Sequence, residues 1–305
     1  MADFNISVAS YSFHRLIKAG LLDIFGYFDL LKYRYHVDYA DIWTEGCLKS
    51  LDDDYIRSIR YAMDQRGLTL ANLCVDGPYV WCDDPEERAG HKRQMLEYLK
   101  VARILGAKTV RIDFGCKGSM QEAFMNRNAD PSTQYNMSDE AFEYIVKTYK
   151  EYCKIVSDWG AKIGPENHWG WDRIPKYLKM VHEAVDDPAY GHLYHLRNFL
   201  DNAEEGEEFC IAHAMHTHIH ADSLPYAKDV IRRLALSGYK GTYGVEHHSG
   251  KYETERVEWH LGTLRAIIAE VRNEDLTVKS EPDYMFGVYT GERRFPSFNE
   301  PVIGR

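Results

Sequence analysis

The chain has 305 residues and a mass of 35.4 kDa, with 37 basic against 47 acidic side chains, a net charge of −10 and a pI near 5.8. That balance disfavours nucleic acid and membrane surfaces as partners, since both are recognised through a basic face. A content of 45% hydrophobic and 28% charged residues excludes wholesale disorder, and no apolar run reaches the ~20 residues of a spanning helix.

The start, Met1-Ala2-Asp3-Phe4-Asn5, has neither a basic stretch nor an apolar segment after it, so no secretory signal is read and a cytoplasmic location is expected. In that compartment the six cysteines, none in a CxxC pair, are expected to be reduced and mostly buried.

Along the chain, short β-branched and apolar runs predict strands at residues 6–10, 39–43, 69–75, 109–114, 162–166, 197–201, 216–221 and 242–246. The segments between them predict helices at 54–66, 86–105, 139–159, 175–185, 227–236 and 254–272. In the second of these, Met95, Leu99, Ala102 and Leu105 recur at helical spacing. Gly67, Gly106, Gly160 and Gly238 each follow a helical run, where a helix-ending glycine belongs. The βαβα alternation argues an α/β fold with a parallel sheet. Eight strand candidates suit a closed (β/α)8 TIM barrel better than a doubly wound sheet, which would carry a glycine-rich phosphate turn that this sequence lacks.

Residues 1–272 are therefore expected to form the barrel. Residues 117–138, long and polar after the fourth strand, fall where a barrel has its catalytic rim. Residues 273–305 form an irregular C-terminal extension carrying Tyr284, Met285, Phe286, Tyr289, Phe295 and Phe298. Such aromatics are expected to pack on the barrel or on another chain.

The chemistry concentrates at the ends of the last four predicted strands: Glu166, Asp201, His220 and Glu246. In a barrel these ends converge on one face, and burying three carboxylates together is costly without a cation. The four are the expected metal ligands. An oxygen-rich set with one nitrogen suits Mn²⁺ first, with Mg²⁺, Co²⁺, Fe²⁺ or Zn²⁺ also acceptable. Strand periodicity puts His216, His218 and His220 on one face. His220 lies nearest the strand end, His218 is the alternative ligand, and His216 is expected to be a hydrogen-bonded core residue. His168, two residues past Glu166, is the candidate base, and Glu166 and Glu246 can themselves transfer protons. His14, Asp113, Trp169, Asp172 and His248, near strand ends, are expected substrate contacts. The helix segment His182-Glu183-Ala184-Val185-Asp186 resembles a zincin motif but has Asp where the second His belongs, and is read as a solvated face.

Several of these pieces together resemble the xylose-isomerase-like barrel superfamily of sugar isomerases and epimerases. They are Ser10-Tyr11-Ser12-Phe13, Pro165-Glu166-Asn167-His168, Phe199-Leu200-Asp201, His218-Ile219-His220 and Val245-Glu246. The resemblance implies a divalent metal on Glu166, Asp201, His220 and Glu246. The departure lies after the seventh strand, where the superfamily has Lys and Asp two and three residues past the ligand His, and this chain has Asp222 and Ser223. In size and style the chain is also similar to the α subunit of C-glycoside deglycosidases. That similarity implies metal-dependent carbon–carbon cleavage of 3-oxo-C-glucosides, an aryl C-glycoside substrate, a small β subunit and an oligomer. The alternative is a ketose 3-epimerase or aldose–ketose isomerase acting on a small sugar.

Overall fold

A computed structural model of the chain describes residues 4–118 and 136–274. The aromatic extension and most of the expected rim segment lie outside the described residues. Eight parallel strands form one sheet: β1 (Ile6–Ala9), β2 (Tyr39–Trp43), β3 (Thr69–Cys74), β4 (Thr109–Arg111), β5 (Lys162–Gly164), β6 (His192–His195), β7 (Ala214–Ile219) and β8 (Tyr243–Val245). Each strand pairs with its sequence neighbour from β1 to β5 and from β6 to β8, and β1 pairs with β8, with Val8 opposite both Ala40 and Val245. The β5–β6 seam closes the ring through Ile163 N to Ala189 O (2.8 Å), Gly191 N to Ile163 O (3.1 Å) and Leu193 N to Pro165 O (2.9 Å). This is a TIM barrel.

The surrounding helices are α1 (Ile24–Asp29), α2 (Asp53–Gln65), α3 (Pro85–Leu105), α4 (Asp139–Ser157), α5 (Pro175–Val185), α6 (Ala203–His213), α7 (Leu224–Leu236) and α8 (Glu253–Asn273). Their starts are written in the sequence. Asp52, Asp84 and Ser138 accept hydrogen bonds from the first-turn amides of α2, α3 and α4, and prolines open α3 and α5. Gly106 ends α3 at φ 69°, which a side chain would resist. All six cysteines are buried, and none forms a disulfide. Among the described residues, no helix is long and apolar enough to cross a membrane.

The expected sixth strand, 197–201, is displaced. The strand is His192-Leu193-Tyr194-His195, fully buried despite its polar letters. Arg197 at φ 60° and Asn202 at φ 42° turn the chain where an extended run was expected. Phe199, from that expected strand, instead stacks on Tyr194 at 6.2 Å. Helix α6, with the sequence AEEGEEFCIAH, has no clear apolar stripe and was not foreseen.

The barrel interior is threaded by a buried polar chain. Thr109 Oγ1 donates to Asn72 Oδ1 (2.8 Å), and Asn72 Nδ2 donates to Asp41 Oδ1 (3.1 Å). Asp41 Oδ2 meets His216 Nε2 (2.7 Å), His216 Nδ1 meets Thr242 Oγ1 (3.1 Å), and Thr242 meets Ser7 Oγ (2.8 Å). Five strands, β4, β3, β2, β7 and β1, and the entry to β8 are thus tied together beneath the strand ends. His216 is the hydrogen-bonded core residue that was expected.

Closure has a steric condition at Gly164. A Cβ there would sit 1.7 Å from the carbonyl oxygen of Gly191 across the seam. Gly164→Ala is therefore expected to destabilise the fold by ~3 kcal/mol, the upper end of overpacking costs, because the clash is with backbone that cannot rotate away. Urea unfolding midpoints of the two proteins check this.

Candidate active site

Residues at the C-terminal strand ends converge at the floor of a cleft of about 1190 Å³. Glu166 follows β5, His195 ends β6, His218 lies in β7 and Glu246 follows β8. One donor atom from each lies within 4.8 Å of the others. Glu166 Oε1 faces His195 Nδ1 (2.8 Å) and His218 Nδ1 (3.0 Å). Glu246 Oε2 lies 3.6 and 3.5 Å from the same two nitrogens and 2.8 Å from His248 Nε2. Glu166 Oε2 is buried without a hydrogen bond, and Arg111 Nε lies 3.1 Å away without hydrogen-bond alignment.

The expected ligand set is brought together only in part. Glu166 and Glu246 meet as expected. Asp201 does not join them, because the turn at Arg197 carries it out of the strand, and no donor group among the described residues includes it. Its place is taken by His195. His220 lies past the end of β7. Its Nδ1 meets His195 Nε2 at 3.1 Å, and its ring stacks on His248 at 5.7 Å on the cleft wall. The alternative, His218, is the imidazole that reaches the floor.

His218 is held on both sides. Its Nε2 meets Asp41 Oδ2 at 2.8 Å and its Nδ1 meets Glu166, so both nitrogens face carboxylates that can only accept. Without a cation His218 must carry both protons. Burial opposes that charge, but Glu246, Glu166 and Asp41 outweigh it and hold the His218 pKa well above its ordinary value. Burial likewise opposes ionisation of Glu166 and Glu246, and the neighbouring cationic groups, His168, His218 and Arg111 for Glu166 and His218 and His248 for Glu246, hold both carboxyls well below the usual range. An imidazole whose far nitrogen donates to a carboxylate is oriented as a metal-ligating histidine usually is.

Beside the floor, His168 Nδ1 lies 3.2 Å from Asp113 Oδ2. Asp113 is buried and accepts from Glu166 N at 3.1 Å, with Arg111 Nη1 3.3 Å away. Burial lowers the His168 pKa, but Glu166 and Asp113 outweigh it and raise it above the ordinary value. The Trp169 ring lies against His168, with centroids 4.4 Å apart.

Of the expected substrate contacts, His14, Trp169 and His248 line the cleft. Asp113 stands behind His168 rather than in the cleft. Asp172 is fully buried and accepts from Phe114 N at 2.9 and 3.1 Å, so it fastens β4 to the turn after β5 and does not face the cleft.

His195, Asp41 and Arg111 were not foreseen. Asp41 carried a signal: a lone charge in the apolar strand Tyr39-Ala40-Asp41-Ile42-Trp43 has to be paired. His195 was hidden by the displaced strand.

Burial governs most of the histidines. Seven described ones shift down and two, His168 and His218, shift up. Desolvation pushes His182 down to about 4 and His260 down to about 3. A depressed folded-state pKa gives stability that is fully present above the unfolded value of ~6.5 and is lost as pH falls through the folded value. The two raised groups act oppositely, losing their contribution above ~6.5. Chelator-treated protein is therefore expected to lose thermal stability steadily from pH 6.5 to 4.5, as read from unfolding temperatures across that window.

The chain matches the family described as xylose isomerase-like TIM barrel over residues 34–267 and belongs to it. No curated protein sequence matches. Among solved structures, it is similar to a 3-keto-D-glucoside 4-epimerase from E. coli, with a TM-score of 0.67 and 15% identity over 87% of this chain and 100% of that one. It is also similar to a D-tagatose 3-epimerase-like protein, with a TM-score of 0.63 and 16% identity over 88% and 99%. A third is a xylose isomerase-like barrel from Mycobacterium smegmatis in complex with magnesium, with a TM-score of 0.62 and 14% identity over 87% and 98%. At these identities the likeness is one of fold.

Proposed function

We propose that the protein is a divalent-metal-dependent enzyme that removes a proton beside a carbonyl of a keto sugar, of the sugar epimerase and isomerase kind. The observation that carries this is the convergence of Glu166, His195, His218 and Glu246, all four buried and with one donor atom from each within 4.8 Å of the others. Two carboxylates and two imidazole nitrogens fit a cation, and a mixed set of this kind suits Mn²⁺, Fe²⁺, Co²⁺ or Zn²⁺ better than an all-oxygen ion site. The cation, when bound, polarises the sugar carbonyl and so acidifies the neighbouring C–H.

The chain's own residues do the rest. Glu246, ionised at the floor of the cleft it lines, takes the proton from carbon. Asp41 fixes the ring plane of His218 through Nε2. Arg111 keeps Glu166 ionised from behind. His168, held protonated by Asp113 and Glu166, is better suited to give a proton than to take one. Tyr11, Trp43 and Trp169 supply aromatic surface against which a sugar ring can lie.

The similar structures support this reading, since one is a 3-keto-D-glucoside 4-epimerase and another a D-tagatose 3-epimerase-like protein. A second reading, β-elimination of the aryl carbon from a 3-oxo-C-glucoside, is favoured by protonated His168, since elimination needs an acid at the leaving carbon. The experiment incubates Mn²⁺-loaded protein in D₂O with a 3-keto-D-glucoside, a free ketose and a 3-oxo-C-glucoside. Deuterium at the carbon beside the carbonyl with no aglycone released supports epimerisation, and free aglycone supports elimination. No exchange and no release from any of them, with metal bound, contradicts both.

A further inference from the structure

A second cluster of histidines lies away from the cleft. His192 opens β6, His213 ends α6 immediately before β7, and His182 lies in the last turn of α5. These are N-terminal strand ends, whereas the cleft is built on the C-terminal ends. His182 Nδ1 and His192 Nε2 are 3.2 Å apart. The rings of His182 and His213 have centroids 4.0 Å apart, and those of His182 and His192 are 5.2 Å apart. Phe209 packs on all three, at 5.4, 5.1 and 4.8 Å from His182, His192 and His213, and Tyr190 closes another side against His182 and His192. His192 is 1% exposed and its Nδ1 has no hydrogen-bond partner. His182 and His213 are half-buried, which leaves a path from solvent.

We propose that His182, His192 and His213 form a second cation site, for a borderline divalent transition ion such as Zn²⁺, on the face of the barrel opposite the cleft. Two nitrogens on a tetrahedral ion at ~2.0–2.1 Å stand ~3.3 Å apart, and the His182–His192 pair already has that spacing. Without an ion, the same pair shares one proton as a hydrogen bond. His213 must turn about its side-chain torsions to bring in the third nitrogen. As it stands the three donors do not all lie within 4.8 Å of one another, so the third bond requires that turn, starting from a half-buried ring at the end of a helix.

The ligand chemistry follows from the donors. Three imidazoles with no carboxylate among them favour a borderline ion over Mg²⁺ or Ca²⁺. All three rings are neutral at pH 7, His182 being pushed down to about 4 chiefly by burial, so their lone pairs are available without proton loss. Lys162 opposes the ion, since its charge reaches His182 and His213, and Asp186 works the other way at His182. An ion here pins α5, α6 and β6 together, so it acts on stability, not on turnover. The His182-to-Asp186 segment read as a solvated face thus contains a ligand, paired with histidines distant in sequence.

The test uses Zn²⁺ alone on the full-length, chelator-treated protein, with binding counted by competition against a chromophoric chelator. Wild type is expected to bind one more equivalent than His213→Ala, and Glu246→Gln is expected to keep that equivalent. Zn²⁺ should raise the unfolding temperature of Glu246→Gln by several degrees and leave the Glu246→Gln/His213→Ala protein unmoved. Should His213→Ala fold poorly by its metal-free unfolding curve, His182→Gln gives the same contrast. Equal stoichiometry in wild type and both histidine variants overturns the site. Equal stoichiometry in wild type and Glu246→Gln instead contradicts the cleft cation and leaves this site standing.

Discussion

Replacing Glu246 by Gln is expected to remove the cleft cation, weakening its binding at least ~100-fold and taking turnover with it. The magnitude follows from the role: loss of a residue that only orients a ligand already costs ~10–100-fold in affinity, and Glu246 supplies one of two ionised oxygens at the floor. Loss of that charge also leaves the Nδ1 atoms of His195 and His218 facing Glu166 alone. His218→Asn should act alike, because it removes the nitrogen that Asp41 orients. Asp201→Asn is the contrasting control and should retain the metal, since that side chain stands outside the cluster. Elemental analysis of the three purified proteins checks the set. Metal lost from Asp201→Asn and kept by His218→Asn would reverse the assignment.

His168→Gln should keep the metal and the fold yet reduce turnover by ~10² or more, the usual worth of a positioned proton donor. Its pKa is raised by Glu166 and Asp113 against the opposing effect of burial, so the protonated form persists above the ordinary ~6.5. Wild-type activity is therefore expected to fall as pH rises through that raised value, and the variant should lack this alkaline limb. Asp113→Asn should shift the limb to lower pH, because it removes the carboxylate at 3.2 Å. A His168→Gln protein within a few-fold of wild type would confine His168 to a structural part behind Glu166.

The barrel was legible because its signals are local. Asp52, Asp84 and Ser138 cap helices by their own side chains, and Gly106 stops one by its own freedom at positive φ. Strand β2 reads 39–43 in sequence and in structure. Glu166 and Glu246 were legible for the same reason, each following an apolar run. The sixth strand was not. Buried strands of a parallel barrel need no alternation, and His192-Leu193-Tyr194-His195 and its neighbour 197–201 each hold one adjacent apolar pair, Leu193-Tyr194 and Phe199-Leu200, so composition does not separate them. Only the left-handed turn at Arg197 decides between them, and a residue type that rarely adopts it gives no warning. That displacement hid His195 and promoted Asp201. Between His218 and His220 the sequence left both open, because period two puts them on one face. The end of β7 at Ile219 separates them.

The cation and its four side chains can be seen in one measurement: an anomalous-difference map from crystals of Mn²⁺-loaded protein. A peak within ~2.0–2.3 Å of Glu166, His195, His218 and Glu246 is the predicted result. A peak held by Asp201 and His220, or a cluster that stays without metal while Glu166 and His218 keep their direct contact, would contradict it.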